Sequence, residues 1–194
     1  MRTIGTEEHF VTASVVAAWR QLHSPARDDS SRQYPSGELA ERLRDVGASR
    51  IAAMDEAGLD IQVISLTSPG LHNLPVDEAT RLQVETNDRI AELVSAHPDR
   101  FQGFATLATP APAMAAQELE RAVTKLGLNG ALLFGRTGVR NLDHRDNWPI
   151  FEVAAALRAP LYIHPQVPQA PVRAALYSGF DEAIDNAFAT FGIG

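Results

Sequence analysis

Short apolar stretches alternate with helical patterns along this chain, and the alternation restricts its fold more than any other feature. Stretches with the length and apolar content of strands occupy residues 3–10, 61–66, 101–107, 130–134 and 160–164. Helical patterns occupy residues 49–57, 76–96, 112–126 and 147–157, with Asn147 as a candidate N-cap, and a further helix is expected from about residue 179. Strands separated by helices form covered parallel sheets, so the sequence predicts an α/β fold.

Polar residues cluster directly after the predicted strands. They are Glu7 and His9, Thr67 and Ser68, Arg136, and His164. The carboxyl ends of the strands are where a (β/α)8 TIM barrel places its active site. No strand is followed by Gly-x-Gly-x-x-Gly or by a P-loop, which disfavours a nucleotide-binding sheet. We therefore expect barrel architecture.

Glu7 and His9 are two residues apart in the first strand, so their side chains are expected on the same face, with Glu8 on the other. His164 ends a later strand and could supply a third ligand to one metal ion. Mixed nitrogen and oxygen donors suit Zn²⁺ or Mn²⁺ better than Ca²⁺. The spacing alone leaves the alternative open: an ordinary carboxylate beside a hydrogen-bonded histidine.

Composition narrows the class of protein. The 194 residues have the length of one domain, with a polar excursion predicted over 11–48 that includes a helix near 37–45. A net charge of −7 without a basic stripe argues against nucleic-acid binding. No apolar run approaches 18 residues and no signal-peptide pattern begins the chain, so a cytoplasmic protein without membrane contact is expected.

An ordered series of short motifs resembles the amidohydrolase superfamily, in the branch of metal-dependent decarboxylases related to aminocarboxymuconate-semialdehyde decarboxylase and γ-resorcylate decarboxylase. The motifs are Glu7-Glu8-His9-Phe10, Ser65 to Gly70, Asn87-Asp88, His97 to Phe101, Gly130-Ala131, Trp148 to Glu152 and Tyr162-Ile163-His164-Pro165. The resemblance implies that Glu7, His9 and His164 bind one divalent metal, with zinc expected before manganese. It also implies a homo-oligomer that acts on a small carboxylic acid.

The resemblance implies an eight-stranded barrel, of which this sequence provides the first five βα units. A second histidine and an aspartate, which such enzymes draw from later strands, have no counterpart here, so the catalytic residues are expected beyond Gly194. The sequence is therefore expected to be the N-terminal portion of such an enzyme. A 194-residue chain alone would leave sheet edges unpaired, and its activity is doubtful.

The resemblance favours non-oxidative decarboxylation of an aromatic or unsaturated carboxylic acid. Two alternatives remain. The first is a hydrolase of the same superfamily that acts on an amide, ester or lactone, and the second is a non-catalytic binding module or inactive fragment. Three residues are candidates for substrate binding: Arg136 after the fourth strand, His72 in the loop after the second, and Phe10. A surface charge is the alternative for Arg136, and a packing residue is the alternative for Phe10.

Overall fold

The computed structural model describes residues 1–22, 37–177, 179–181, 183–184 and 187. Its strands are β1 (Ile4–Phe10), β2 (Ile61–Leu66), β3 (Phe101–Thr106), β4 (Gly130–Phe134), β5 (Arg136–Thr137), β6 (Arg140–Asn141) and β7 (Leu161–His164). Its helices are α1 (Ala13–Gln21), α2 (Gly37–Arg44), α3 (Ala48–Ala57), α4 (Val76–Ala96), α5 (Pro112–Thr124), α6 (Trp148–Leu157) and α7 (Ala170–Leu176), with a 3₁₀ turn, Arg145–Asn147, before α6.

Within the described residues, one five-stranded sheet has the order β1-β2-β3-β4-β7, and each neighbouring pair is parallel. Helices connect these neighbours, as parallel pairing requires. The sheet curls so that its two outermost strands approach each other. The Tyr162 hydroxyl on β7 donates to Glu7 Oε2 on β1 at 3.0 Å. We call this curled sheet the half-barrel. It confirms the predicted α/β fold and is consistent with the first five βα units of a TIM barrel.

The two faces of the half-barrel differ in what covers them. Residues of the outer face, such as Ile64, Phe101 and Leu133, pack with residues of the helices in the largest apolar cluster. The inner face holds a smaller cluster composed of Val63, Phe104, Leu132 and Phe134, with Tyr162 packed against it. Because successive side chains alternate between faces, β2, β3, β4 and β7 contribute to both clusters, whereas β1 contributes only Phe10 to the outer one. The inner cluster forms the floor beneath the strand ends.

A β-bulge interrupts β1 between Gly5 and Glu8. Gly5 lies opposite Gln62 and Glu8 lies opposite Ile64, so three residue steps of β1 face two steps of β2. A side chain at position 5 would collide with that of Glu8, which explains the glycine there. Beyond the bulge, His9 is paired with Ser65 and Phe10 with Leu66. The bulge therefore determines which side chains at the end of β1 point to the inner face of the sheet and which point to the outer face.

Helix α1 lies inside the stretch predicted as a polar excursion. The Thr12 side chain caps its first turn by accepting from the Val15 amide, and Val15, Val16, Ala18 and Trp19 are buried. The helix predicted near 37–45 is confirmed as α2, whereas residues 23–36 of the excursion lie outside the described residues. Most of the helix predicted from about residue 179 also lies outside them, while α7 ends before it.

Asn147 occupies the N-cap position of α6, as predicted, but its side chain makes no capping hydrogen bond. Asn147 closes the 3₁₀ turn, and its side-chain amide donates instead to the carbonyls of Asn141 and Leu142 at 3.3 and 3.2 Å. The side chain thus fixes the loop before the helix, because its amide N–H groups find acceptors in that loop. In the described part of the chain, no helix combines the length and apolar character needed to cross a membrane.

Candidate metal centre

Three side chains with metal-binding groups meet on the inner face of the half-barrel, at the carboxyl ends of β1 and β7. Glu7, His9 and His164 each offer one ligand atom, and these atoms lie within 4.8 Å of one another. Glu7 Oε1 lies 3.1 Å from His164 Nε2 and 3.6 Å from His9 Nε2. The two imidazole centroids are 5.1 Å apart. The structure therefore brings together the three residues predicted to bind metal.

Hydrogen bonds on the far side of each ring decide how the histidines face Glu7. His164 Nδ1 lies 2.6 Å from the carbonyl oxygen of Pro165, which can only accept, so Nδ1 donates and a neutral ring keeps its Nε2 lone pair toward Glu7. His9 Nδ1 lies 3.1 Å from Ser65 Oγ. Metal-binding histidines commonly make such a second hydrogen bond. A lone pair facing a carboxylate is repulsive, and a cation between them would remove the repulsion.

The protonation of His9 also fits metal binding. Burial lowers the pKa of His9, and the neighbouring His164 lowers it further, while Glu7 acts in the opposite direction. A lowered pKa favours the neutral imidazole at pH 7, which is the form that coordinates metals. Together with the Glu7 carboxylate, the cluster offers two nitrogen donors and one oxygen donor. This donor set fits a divalent metal ion.

Tyr162 orients the third member of the cluster. Its hydroxyl donates to Glu7 Oε2, and its ring stacks on Phe104 with centroids 5.7 Å apart. The hydrogen bond to Glu7 raises the pKa of Tyr162, because it would be lost if the phenol gave up its proton beside a carboxylate. With one oxygen held by Tyr162, Glu7 turns its other oxygen toward the two histidines.

Glu8 does not join the cluster. It lies 4.0 Å from a guanidinium nitrogen of Arg50 in α3. Arg50 in turn donates to the backbone carbonyl of His9 at 2.9 Å and to Gln62 Oε1 at 2.7 Å. Glu8 and Arg50 therefore support the end of β1 from the side opposite the cluster, in agreement with the predicted strand phase.

An open cavity of about 610 Å³ adjoins the cluster, and His164, Arg136 and Gln166 are among its lining residues. The Nε atom of Arg136 is buried and has no hydrogen-bond partner among the residues that the structure describes. His72 is only 4% exposed, and its ring lies 5.2 Å from that of Phe134. Phe134 is also 5.2 Å from the ring of His164. Arg136 thus shares this cavity with His164, one of the three members of the cluster, whereas His72 is buried beside Phe134 and does not line it.

Phe10 lies on the outer face, in contrast to the other candidates. It is 1% exposed and belongs to the main apolar cluster with Val46 and Ile90. The sheet separates this position from Glu7 and His9, because Phe10 follows His9 directly and so points to the opposite face. Its position gives no support to the predicted contact between Phe10 and a substrate.

Ser65, Tyr162 and Gln166 contact the predicted site residues, although sequence reasoning assigned none of them a role. Tyr162 precedes His164 by two residues, so strand alternation could have placed it on the same face. Ser65 is a lone hydroxyl within the apolar run of β2, which is a weak signal. Gln166 contacts Arg136 and His72 from the loop after β7, and nothing in its sequence neighbourhood indicates these partners.

Comparisons with known proteins agree with this geometry. The γ-resorcylate decarboxylase of Polaromonas sp. is 36% identical over 185 residues, which are 91% of this chain and 53% of that protein. The crystal structure of a 5-carboxyvanillate decarboxylase from Novosphingobium aromaticivorans, complexed with manganese, has a TM-score of 0.82 and 32% identity, covering 97% of this chain and 59% of that one. The chain spans about half the length of such relatives.

A dihydroxybenzoic acid decarboxylase from Polaromonas sp. also contains manganese in its crystal structure, with a TM-score of 0.73 and 34% identity over 92% of this chain and 54% of that one. These two structures do not support the predicted preference for zinc over manganese. The amidohydrolase family profile matches residues 15–187, which is most of the chain. With its curled parallel sheet, its strand-end donors and these relatives, the chain belongs to the amidohydrolase family.

Proposed function

We propose that this chain provides the metal-binding half-barrel of a decarboxylase that removes CO₂, without oxidation, from an aromatic or unsaturated carboxylic acid. The observation that supports this most directly is the convergence of Glu7, His9 and His164 at the carboxyl ends of strands. This is the end at which barrel enzymes perform their chemistry. The relatives named as decarboxylases of benzoic acids support the substrate class.

In the reaction, the bond between the ring carbon and the carboxylate breaks, its electron pair stays on the ring carbon, and that carbon takes up a proton as CO₂ leaves. A bound divalent ion would supply Lewis acidity toward the substrate oxygens. The protein's own side chains would bind this ion and fix its position. Glu7 would offset part of the ion's charge, while Ser65 and the Pro165 carbonyl orient the two imidazoles.

Arg136 is the residue we propose for binding the substrate carboxylate. Arg136 lines the same cavity as His164, its Nε is buried without a described hydrogen-bond partner, and guanidinium groups match carboxylates in shape and charge. His72, also predicted to contact substrate, is buried. We therefore propose that it affects substrate binding indirectly, through the residues that it contacts. Arg136→Ala should raise KM about tenfold, the effect of losing ~1.4 kcal/mol. Steady-state kinetics on a carboxylate substrate measure this, and an unchanged KM would return Arg136 to a structural role.

We further propose that the resident metal is Mn²⁺ or Zn²⁺, one ion per chain. The donor set fits both ions, and manganese in two related structures favours the first. Elemental analysis of purified protein, followed by chelation and reloading with each ion, identifies which one restores turnover. A protein that retains neither ion under any condition would contradict the proposed centre.

The reaction class is tested on the complete enzyme, of which this chain provides the half-barrel, by offering the metal-loaded enzyme a hydroxybenzoate and, separately, aryl esters and amides. Release of CO₂ from the hydroxybenzoate is the expected result. Glu7→Gln should weaken metal binding and lower CO₂ release, whereas Glu8→Gln, which makes the same change one residue away, should do neither. Ester or amide hydrolysis without CO₂ release would identify a hydrolase, and full metal loading without any turnover would favour a binding module.

A homo-oligomer remains our proposal for assembly. Ile4 on β1 and Ile163 on β7 are about half exposed, and both belong to the outermost strands of the described sheet. Large exposed apolar side chains favour association with another surface. Light scattering across a range of protein concentrations tests this, and a monomer at every concentration would contradict it.

A further inference from the structure

One side-chain amide connects the loops that follow β2, β4 and β7. Gln166 Oε1 accepts from the backbone N–H of Arg136 at 2.9 Å. Gln166 Nε2 lies 2.8 Å from Nε2 of His72. These contacts join residues that are 30 and 94 positions apart in sequence. Gln166 is also two residues beyond His164, so the connection reaches the edge of the candidate metal centre.

The orientation of the Gln166 amide follows from its partners. The Arg136 backbone N–H can only donate, so the amide oxygen must face it, and the NH₂ group must face His72. An NH₂ group only donates, which means that His72 Nε2 must be the acceptor. A neutral His72 therefore carries its proton on Nδ1. The alternative amide orientation would place two donors against each other at the Arg136 backbone.

The three residues lie where they can influence the cavity. Arg136 and Gln166 both line it beside His164. His72 is 4% exposed and contacts Phe134, whose ring in turn contacts His164. A change in the Gln166 amide would therefore move the start of β5, where Arg136 lies, and change the hydrogen bond that holds the His72 ring behind Phe134.

We propose that Gln166 is a positioning residue that orients Arg136 toward the cavity and fixes the tautomer of His72. The tautomer is inferred from the two Gln166 contacts described above. The consequence for substrate binding rests in addition on the proposed decarboxylase function and on Arg136 as the carboxylate-binding group. The two parts can therefore fail separately.

The tautomer is tested by NMR of protein labelled with ¹⁵N in histidine, at a pH where the His72 ring is neutral, with the His72 signals assigned from their loss in His72→Asn. In the wild-type chain we expect Nδ1 protonated and Nε2 unprotonated. In Gln166→Glu the carboxylate offers only acceptors, so Nε2 should gain the proton. Gln169→Glu makes the same change three residues away and should leave His72 as in the wild type. A wild-type Nε2–H tautomer, or no change in Gln166→Glu, would overturn the proposal.

The effect on substrate binding is tested with Gln166→Leu, which removes both hydrogen bonds and adds no charge. KM for a carboxylate substrate should rise about tenfold, equivalent to ~1.4 kcal/mol, with the metal content unchanged and kcat altered much less. An unchanged KM in an active enzyme would overturn the positioning role. If the wild-type protein releases no CO₂ at all, the proposed function fails, while the NMR result on His72 still decides the tautomer.

Discussion

Two polar clusters in this protein contain similar residue types but are organised in opposite ways. On the helix side of the sheet, Glu118 of α5 is 4% exposed and accepts from Asn87 at 2.8 Å and from two nitrogens of Arg121 at 2.8 Å each. Asn87 completes the set by pairing with both the N–H and the C=O of Thr106. Each of these contacts joins a donor to an acceptor.

In the Glu7, His9 and His164 cluster, by contrast, three potential ligand atoms point at one region. Burial and the neighbouring imidazole both disfavour a charge on His9. In the Glu118 cluster the hydrogen bonds pair donors with acceptors inside the protein, and they connect α4 and α5 to β3. The Glu7 cluster becomes electrostatically balanced only when a cation lies among its members. Pairing of donors with acceptors marks a structural cluster, and convergence of acceptors marks a binding site.

The largest expected effect is on metal binding by His164→Ala. Removing one of three protein ligands should lower metal affinity at least about a hundredfold, or ~2.7 kcal/mol, while the metal-free protein keeps its fold because the outer core is untouched. Isothermal titration with Mn²⁺ and Zn²⁺ measures the affinity, and circular dichroism checks the fold. Unchanged metal affinity in a folded variant would refute the inference that converging ligand atoms identify a metal site.

The next effect concerns the paired cluster. Glu118→Ala should lower the free energy of unfolding by about 2 kcal/mol, because Asn87 and Arg121 lose their shared acceptor in a largely buried position. Metal affinity should stay the same. Glu120→Ala is the matched control, since Glu120 is exposed on the same helix, and should change stability by less than about 0.5 kcal/mol. Chemical denaturation gives both values, and equal losses in the two variants would contradict the structural role of Glu118.

A smaller effect is expected for Ser65→Ala. Ser65 is fully buried and its hydroxyl contacts His9 Nδ1, so its loss should release the orientation of the ring. Metal affinity should fall roughly tenfold, the lower end for groups that support a metal ligand. Titration calorimetry measures the affinity, with exposed Ser95→Ala as the control. A loss as large as that of His164→Ala would mean that Ser65 does more than orient His9.

The smallest effect is expected for Tyr162→Phe. The variant keeps the ring that stacks on Phe104 and removes only the hydroxyl that donates to the half-exposed Glu7. We expect metal affinity to change by less than about fivefold, or ~1 kcal/mol, since a hydrogen bond to a half-exposed group lies toward the lower end of the roughly 0.5–1.5 kcal/mol that such bonds contribute. Competition with a chromophoric chelator resolves such a difference. A much larger loss would show that Glu7 depends on Tyr162 for its position.

The amino-acid sequence predicted the strands well because apolar runs bounded by turns leave few alternatives. The structure places β4 at Gly130–Phe134 and β2 at Ile61–Leu66, the ranges predicted for them. Helix α1 was missed because the polar residues after it dominate the stretch 11–48. The local signals were nevertheless present in the Thr12 cap and in the buried pair Val15 and Val16.

The candidate site was predicted only as far as local spacing reaches. The i, i+2 relation of Glu7 and His9 is visible in the sequence, but the pairing of His9 with Ser65 depends on the register of β1 and β2 beyond a bulge. Asn147 shows the same limit, because a residue that often caps helices here binds two loop carbonyls instead. Contacts between distant loops, such as Gln166 with His72, require the folded sheet.

The half-barrel curls until its outermost described strands touch through Glu7 and His164. An ion held by both residues would act as a cross-link between the beginning and the end of the sheet. A ligand that binds only the folded state stabilises it by about 2.7 kcal/mol at a hundred times its dissociation constant. The concentration of free metal would then govern how firmly the sheet stays curled, so the stability of the fold would vary with metal supply.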